Sequence, residues 1–479
     1  VAGTVTAATY LTPSIAATSG LAATVAVIST QYLAPSISAT SGLVAVVLAP
    51  RASLPGVGNP RSRNPFIYRA WDLTTRTPLD HLPYQGVVFG RTINGPGTWT
   101  GSLPIADPSV WNLDWEDASR PSRTLLGVEY RDELIVGYII WTRVYQESQK
   151  VLKIGGSEVG SYMQRRLQAF DYSATWATGG DPMSITDQLM SDALAVYGAS
   201  QICGGIVVQL NPAGGSGHSV VASYPGSSLQ TIDSMIQTLS QMGFTLGIDY
   251  SFDVSYIPGT RTPQVVCNIW YPRQGRTFTE SQLRVVAAQC LDWYYPEDGS
   301  QQANEITEAG SGTGGIQPVT ENIQPLQPGY PLLQKVNVHT QVNTQAELVG
   351  VAAGDIGLYA WPVVTPWIQL PIPVPDAQDN IDPSTMTLGD FDIGDDLVFA
   401  VDPVAVDSTG QPQWTRSNSP RFPAGMSFEW RAQDWTVTVA DKGVSTLKID
   451  LGVPPGETQP PPQPPLGGSQ IPPPPAVAQ

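Results

Sequence analysis

The chain has 479 residues and a formal net charge of −17; charged residues make up only 14%, alongside 46 glycines and 44 prolines. That length exceeds one hydrophobic core, and roughly 150 residues per domain gives about three. The acidic balance excludes a surface built to neutralise phosphates, so sequence-specific nucleic-acid binding is not expected. Abundant glycine and proline with few charges favour many turns between short strands, as in a β-rich α+β, multi-domain chain.

The first 50 residues contain no Asp, Glu, Lys, Arg or His. Thr, Ser, Gln, Pro or Gly interrupts the apolar runs every few residues, which argues against a membrane span. An internal repeat accounts for the segment better. TYLTPSIAATSGL from Thr9 recurs as QYLAPSISATSGL from Gln31, so Tyr10 matches Tyr32 and Gly20 matches Gly42. Each copy is small-residue and β-branched with a Ser-Gly turn, and reads as two short strands. Two copies are too few for a continuous core. This N-terminal β-repeat arm, residues 1–50, is therefore expected to pack on the same arm of symmetry mates or on a neighbouring protein; a disordered low-complexity leader is the alternative. Residues 51–65, RASLPGVGNPRSRNP, are a linker by composition.

Residues 66–170 read as a first β-domain. Phe66 to Leu73 pairs with Leu79 to Tyr84, and Gly86 to Ile93 pairs with Thr98 to Leu103 around a tight Asn94-Gly95-Pro96-Gly97 reversal. Three antiparallel strands follow: Val128 and Tyr130 alternating with charged residues, Ile135 to Trp141, and Val151, Ile154 and Val159. Ser161 to Arg166 then predicts a short helix.

Residues 171–300 read as an α+β insert. Asp181-Pro182 opens a helix with Ile185, Leu189, Ala193 and Val196 on its apolar face and Gly198 at its end. A second helix is predicted over Ser228 to Met242, with Leu229, Ile232, Ile236 and Leu239 inward and Gly243 as its stop. Alternation from Phe244 to Tyr256, then Val265 to Trp270, adds strands. Residues 301–330, rich in Gly, Gln, Pro and Thr, read as a long loop. Residues 331–452 read as a second β-domain with one helix. The capping box Thr344-Gln345-Ala346-Glu347 opens that helix, which carries Leu348, Val351 and Ala352. Trp435, Val437 and Val439, with Leu447 and Ile449, mark its clearest strands. Residues 453–479 have a polyproline II and coil composition, read as a spacer, a partner's ligand or an inert exposed tail.

A search for chemistry finds little. There is no G-x-S-x-G elbow, HExxH, Walker loop or G-x-G-x-x-G after a strand. Cys203, Cys267 and Cys290 are an odd set without C-x-x-C spacing, and read as small buried hydrophobes. His81, His218 and His339 sit one in each broad region and read as turn or surface residues. Cys203 and His218 offer a nucleophile and a base on paper, without an evident orienting partner. Asp390, Asp392, Asp395 and Asp396 have the close oxygen spacing that suits calcium, yet depart from the EF-hand pattern; a solvated turn is the other reading. No catalytic, cofactor-binding or metal residue is assigned, and the chain is not expected to be an enzyme. No run of 18 apolar residues and no basic signal region predicts membrane insertion.

Charge is distributed unevenly. Val336 to Thr415 carries eleven acidic residues and no Lys or Arg, whereas Arg51 to Arg91 holds six arginines against two aspartates. Such asymmetry steers subunits into register; an acidic wall would also repel passing DNA. An ordinary solvated acidic surface is the third reading.

One resemblance covers roughly residues 66–452. It runs through FIYRAWDLTTRTPLDHLPYQGVVFGRTINGPGTWTGSLPI, LLGVEYRDELIVGYIIWTRVY, KIGGSEVGSYMQRR, SSLQTIDSMIQTLSQMGFTLGIDYSF, NIWYPRQGR, GYPLLQKVNVHTQVNTQAELVGVAAG, GDFDIGDDLVFAVDP and RFPAGMSFEWRAQDWTVTVADKG. Their order, rather than any single motif, resembles the minor tail protein family that forms the tail-tip (baseplate) hub of actinobacterial siphophages. The resemblance implies a structural virion protein, made in the host cytoplasm and placed at the tail tip. It implies a homotrimer in which two β-barrel-like hub domains per chain flank the α+β insert and give six similar units in a ring. Implied partners are the distal tail protein ring, other minor tail or tip proteins and the tape measure protein, around a DNA exit path used in viral genome ejection. The rivals are a tail-tip receptor- or carbohydrate-binding protein, using the 13 Trp and 18 Tyr, and a cryptic cell-wall hydrolase. The arm lies outside the resemblance.

Overall fold

The computed structural model describes residues 65–196, 202–242, 246–311, 317–323, 331–339, 342, 344–373, 386–441 and 444–454, together with two short backbone strands in the arm. Those are β1 (Ser14–Ala17) and β2 (Ser36–Ala39), which pair in parallel with Ser14 opposite Ser36 and Ala17 opposite Ala39. Equivalent positions of the two repeats are thus direct neighbours. Each repeat supplies one strand among the described residues; the second strand expected per unit lies outside them, as do the linker up to Asn64 and the tail from Pro455.

The first β-region contains β3 (Phe66–Asp72), β4 (Pro78–His81), β5 (Gln85–Thr92), β6 (Thr98–Leu103), the one-turn helix α1 (Trp115–Ala118), β7 (Thr124–Tyr130), β8 (Glu133–Gln146) and β9 (Val151–Glu158). The predicted β3–β4 and β5–β6 pairs and the β7–β8–β9 meander all form. Val159–Arg165 is a short 3-10 helix where the sequence predicts a helical turn. Gly97 is required at the hairpin because a Cβ there would lie 2.0 Å from the Gly90 carbonyl oxygen. Strand β7 is buried at every position, since Leu126, Val128 and Tyr130 enter one core and Leu125 another. Glu129, one of the charged residues alternating with Val128 and Tyr130, is therefore inside; Arg69 donates to its carboxylate at 2.7 Å and the Tyr256 hydroxyl also donates to it.

The insert follows with β10 (Tyr172–Gly180), α2 (Pro182–Ala195), β11 (Ile206–Asn211), β12 (Val220–Tyr224), α3 (Ile232–Ser240), β13 (Asp249–Tyr256) and β14 (Pro263–Trp270). Strand β14 lies between β13, antiparallel, and β11, parallel; β10 pairs with β12. Helix α2 buries Ile185, Leu189 and Ala193 as its periodicity predicts, and Val196 is already extended. Helix α3 begins later than predicted. Thr231 caps it by accepting the Ser234 N–H at 3.2 Å, whereas Leu229 is left-handed, with φ of 48°, and exposed. A Thr at the cap position supplied a better start than the apolar spacing that includes Leu229. Gly198, Gly243 and Phe244 lie outside the described residues.

The remaining elements are α4 (Phe278–Ser281), β15 (Leu283–Val286), β16 (Asp292–Tyr294), β17 (Glu305–Ala309), β18 (Val319–Ile323), β19 (Gln334–Val338), α5 (Gln345–Tyr359), β20 (Trp367–Pro371), β21 (Asp396–Val401), β22 (Ala405–Val406), β23 (Pro412–Gln413), β24 (Met426–Thr438) and β25 (Thr446–Gly452). The long loop expected over 301–330 is corrected: it holds β17 and β18, which with β19 form a three-stranded sheet under α5. Strands β18 and β19 expose every second residue, and β17 fully buries Ile306 and Glu308, so the apolar content gives a weak strand signal. Helix α5 starts after Thr344 and buries Leu348, Val351 and Ala352 as predicted.

The two β-regions are not separate sheets. Thirteen strands form one open sheet, ordered β16-β20-β25-β24-β5-β6-β9-β8-β7-β3-β4, with β15 and β21 attached through β24. The C-terminal half of β24 pairs with β5, Trp435 opposite Arg91 and Val437 opposite Phe89; its N-terminal half pairs with β21. A register shift between Ala432 and Asp434 separates the two halves. One core joins the two β-regions, around Phe89, Trp99, Phe399, Trp430 and Trp435. A second joins the other face of β7 and β8 to the insert, around Trp71, Ile139, Leu189, Ile236 and Val265.

The Asp181 cap ties α2 to a distant loop. Its carboxylate accepts the N–H groups of Met183 and Ser184 in the helix and the Ser216 N–H, Ser216 hydroxyl and Gly217 N–H at 2.7–3.0 Å. Burial alone would raise its pKa, but these donors outweigh it and hold the group below its ordinary value. A depressed pKa stabilises the fold above the unfolded-state value and loses that stabilisation as pH falls through the folded one. Asp181→Ala is expected to cost about 1–2 kcal/mol near pH 7 in urea melts, and the deficit should shrink below about pH 4, where the wild type also loses the contribution.

Candidate functional site

The most densely connected polar site lies where the first β-region, the insert and the second β-region meet. Its centre is Arg91, at the end of β5 and 5% exposed. Its Nε donates to Glu158 Oε1 at 3.0 Å, one Nη donates to Asp253, and the other donates to Asp392 Oδ1 at 3.1 Å. Those three carboxylates come from the end of β9, from β13 and from the segment before β21. Glu158 also accepts the Gly97 N–H at 2.6 Å. Burial pushes the Glu158 carboxyl up to about 7, although Arg91 and that N–H pull the other way.

Three more arginines extend the arrangement. Arg431 on β24 donates to Asp249 of β13 and to the Gln274 carbonyl at 3.0 Å. Asp249 also accepts from the Asn94 side chain in the β5–β6 turn, and Asn94 Oδ1 accepts the Tyr250 N–H, both at 2.8 Å. Arg273 holds Asp396 through two bonds of 2.6–2.7 Å, and Arg276 holds Asp395 at 2.6 Å. Forked pairs of this kind fix orientation as well as distance. Beside them opens a cleft of about 690 Å³, lined in part by Arg91, Asp253, Trp270, Gln274, Asp392 and Trp435.

The residues singled out in the sequence fall as follows. Asp390 accepts the Thr387 N–H at 2.8 Å, while Asp392, Asp395 and Asp396 each bind a different arginine. Asp395 and Asp396 are buried, which corrects the solvated-turn reading for those two, whereas Asp390 and Asp392 are exposed; Asp392, Asp395 and Asp396 turn toward separate cations rather than a common centre. Cys203, Cys267 and Cys290 are free and buried. Burial pushes the Cys203 thiol up to about 12, so it is no nucleophile at neutral pH. His218 lies against the Tyr271 ring, and His81 is exposed beside Asp80. His339 is different: its Nε2 is 2.7 Å from Glu308 Oε2. The network around Arg91 had no signal in the sequence, because its partners stand 67, 162 and 301 positions away.

No family model and no curated protein matches the sequence. Solved structures similar in fold include a tail protein from Neisseria meningitidis, at 9% identity and a TM-score of 0.46 over 80% of this chain and 96% of that one. A prophage tail protein, gp18, from Listeria monocytogenes is similar at 9% identity and 0.46, over 80% and 94%. The 43 kDa tail protein of prophage MuSo2 from Shewanella oneidensis is similar at 10% identity and 0.48, over 82% and 99%. All three are tail proteins, and at this distance no residue role passes from them to this chain.

Replacing Arg91 leaves three carboxylates facing one another without their cation. Arg91→Met is expected to destabilise the chain by about 3–5 kcal/mol at pH 8, measured by urea unfolding. Arg91→Lys should recover only part, since one ammonium cannot present the forked donors. Because the folded-state pKa of Glu158 is raised from 4.5 to about 7, protonation favours the folded state as pH falls through that window. Loss of Arg91 removes a charge that pulls the Glu158 pKa down, so the variant gains more from protonation than the wild type does, and the Arg91→Met deficit should narrow between pH 8 and 5.5.

Proposed function

We propose that the chain is a structural tail-tip protein, the trimeric hub of a siphophage tail. In this reading it joins the tail tube or distal tail ring to tip or fibre proteins and lines the DNA exit path. The hub body in this reading is the thirteen-stranded sheet, built from residues 66–170 and 331–452 with β15 and β16, and the insert packs against β7 and β8. The observation that carries the reading is the pairing of β5 with β24. Segments from the two ends of the resemblance are neighbouring strands of one sheet, and arginines from both ends bind carboxylates of the insert. Such a scaffold suits a ring component that holds its shape under load. The acidic balance of the chain would repel DNA passing a lined channel.

The aromatic residues bear on the choice between this reading and a carbohydrate-binding one. Of the 13 tryptophans, Trp71, Trp99, Trp176, Trp430 and Trp435 are buried, Trp111 and Trp414 are exposed, and the other six are half-buried. Trp99 packs edge-on against Tyr84 at 4.8 Å and Tyr68 at 6.3 Å within the core. Trp71, Trp99 and Trp430, at most 1% exposed, pack in the cores against the sheet and offer no face for stacking on sugars.

The mass of the purified chain in solution tests the hub reading. The expected result is a stable trimer, three times 51.2 kDa, by light scattering at micromolar concentration. Removal of residues 1–50 is expected to weaken it if the repeats pair across chains. A monomer at every concentration, both alone and with a distal tail ring protein, would overturn the trimeric hub.

A further inference from the structure

Every buried carboxylate described so far has an arginine beside it. One buried carboxylate pair does not. Glu308 on β17 is fully buried, and its ion-pair partner among the described residues is His339, just beyond β19. Asp355, half-buried on α5, is the third member: one potential ligand atom from each of the three residues lies within 4.8 Å of the others. The Asn337 amide donates to Glu308 Oε1 at 3.0 Å and to Asp355 Oδ2 at 2.8 Å, which holds both carboxylates in place. Lys335, two positions before Asn337 on β19, is engaged with its ammonium 3.3 Å from the Tyr359 ring centroid. Asn322 on β18, the neighbouring polar group, donates to the Ala352 carbonyl at 3.2 Å.

We propose that Glu308, His339 and Asp355 form a site for one divalent transition-metal ion of the zinc class, bound through an imidazole nitrogen and two carboxylate oxygens with a position left for water. The donor set fits: a neutral imidazole with two carboxylates suits zinc better than calcium or magnesium, which take oxygen ligands only. The spacing fits as well. Ligand atoms around a tetrahedral zinc stand roughly 3.3 Å apart, so the widest pair, no more than 4.8 Å apart, closes the shell by a contraction of at most about 1.5 Å. Charge completes the argument, because the fully buried Glu308 and the half-buried Asp355 outnumber the one imidazole, and a dication corrects the negative balance.

The position also gives the ion a structural task. The three-stranded sheet and the second half of α5 close over a core that, among the described residues, consists of Ala303, Ile306 and Ile356, with Tyr359 packed against it. A core of that size is where a metal contributes most to holding elements together. The three ligands come from β17, from the segment after β19 and from α5, so one ion would fasten all three.

The test uses the full chain, stripped with EDTA and dialysed. Zinc chloride, manganese chloride, calcium chloride and magnesium chloride are titrated separately by calorimetry and thermal melting. The expected result is one zinc per chain and a raised melting temperature, with manganese weaker and calcium and magnesium without effect. His339→Gln and Asp355→Asn should each weaken zinc binding on the order of 100-fold, a loss at least as large as that seen for outer-shell changes. Melts of each variant in EDTA show whether it still folds, and the wild-type stoichiometry stands as evidence if one does not. A His81→Gln/His218→Gln double variant should bind zinc as the wild type does. Absence of stoichiometric zinc on the wild-type chain, or loss of binding in that double variant instead of in His339→Gln, would overturn the proposal.

Discussion

A guanidinium sealed inside a protein must be met by carboxylates, and Arg91 meets three that arrive from three separate parts of the chain. Breaking such a pair on one side is costly, although the intact pair adds little net stability over a well-packed apolar substitute. Its value is geometric. Hydrophobic cores tolerate sliding and repacking, whereas a guanidinium with Glu158, Asp253 and Asp392 around it accepts few arrangements. Arg431 with Asp249 and Arg273 with Asp396 repeat the device on the same seam. The relative placement of the sheet and the insert therefore follows from paired charges as much as from apolar area.

The β5–β24 ladder supplies the other half of that rigidity. Strand β24 is long enough to serve two neighbours, β21 with its first half and β5 with its second. The register shift at Ala432 and Asp434 lets the strand bend between them. Apolar packing and ionic locking thus act at the same junction: Trp435 lies opposite Arg91 in the ladder, with Phe89 beside it in the core.

Local order was legible in the sequence where a segment buries one face or carries its own punctuation. The Asn94 to Gly97 turn, the Asp181-Pro182 helix start and the β7–β9 meander were readable for that reason. Three features were not. Strand β7 is buried on both faces, so the charge at Glu129 pointed toward solvent while its partner Arg69 waited 60 positions away. The β17–β18 pair intersperses Ile306, Ala309, Val319 and Ile323 with polar residues and fully buries only Ile306 of these four, a weak strand signal beside the Gly- and Pro-rich segment around it. The merging of two β-regions into one sheet leaves no local trace, since pairing partners are chosen by backbone groups that every residue carries. The candidate site suffered most. Arg91, Glu158 and Asp253 look like ordinary surface residues until the chain folds, and the acidic run at Asp390 drew the eye to calcium when its real partners were arginines. His339 read as a turn residue, and only the fold set Glu308 and Asp355 beside it.

The distance along the chain between β5 and β24 also fixes an order of events during synthesis. Thr92 leaves the ribosome 342 residues before its ladder partner Asp434 (434 − 92). At about 5–20 residues per second, the edge of β5 waits roughly 20–70 s for the strand that covers it. During that interval Val87 and Phe89, both fully buried in the finished fold, have only the first β-region to shelter them. The nascent chain must therefore carry an open sheet edge through most of its own translation, and the last long strand to emerge is the one that seals it.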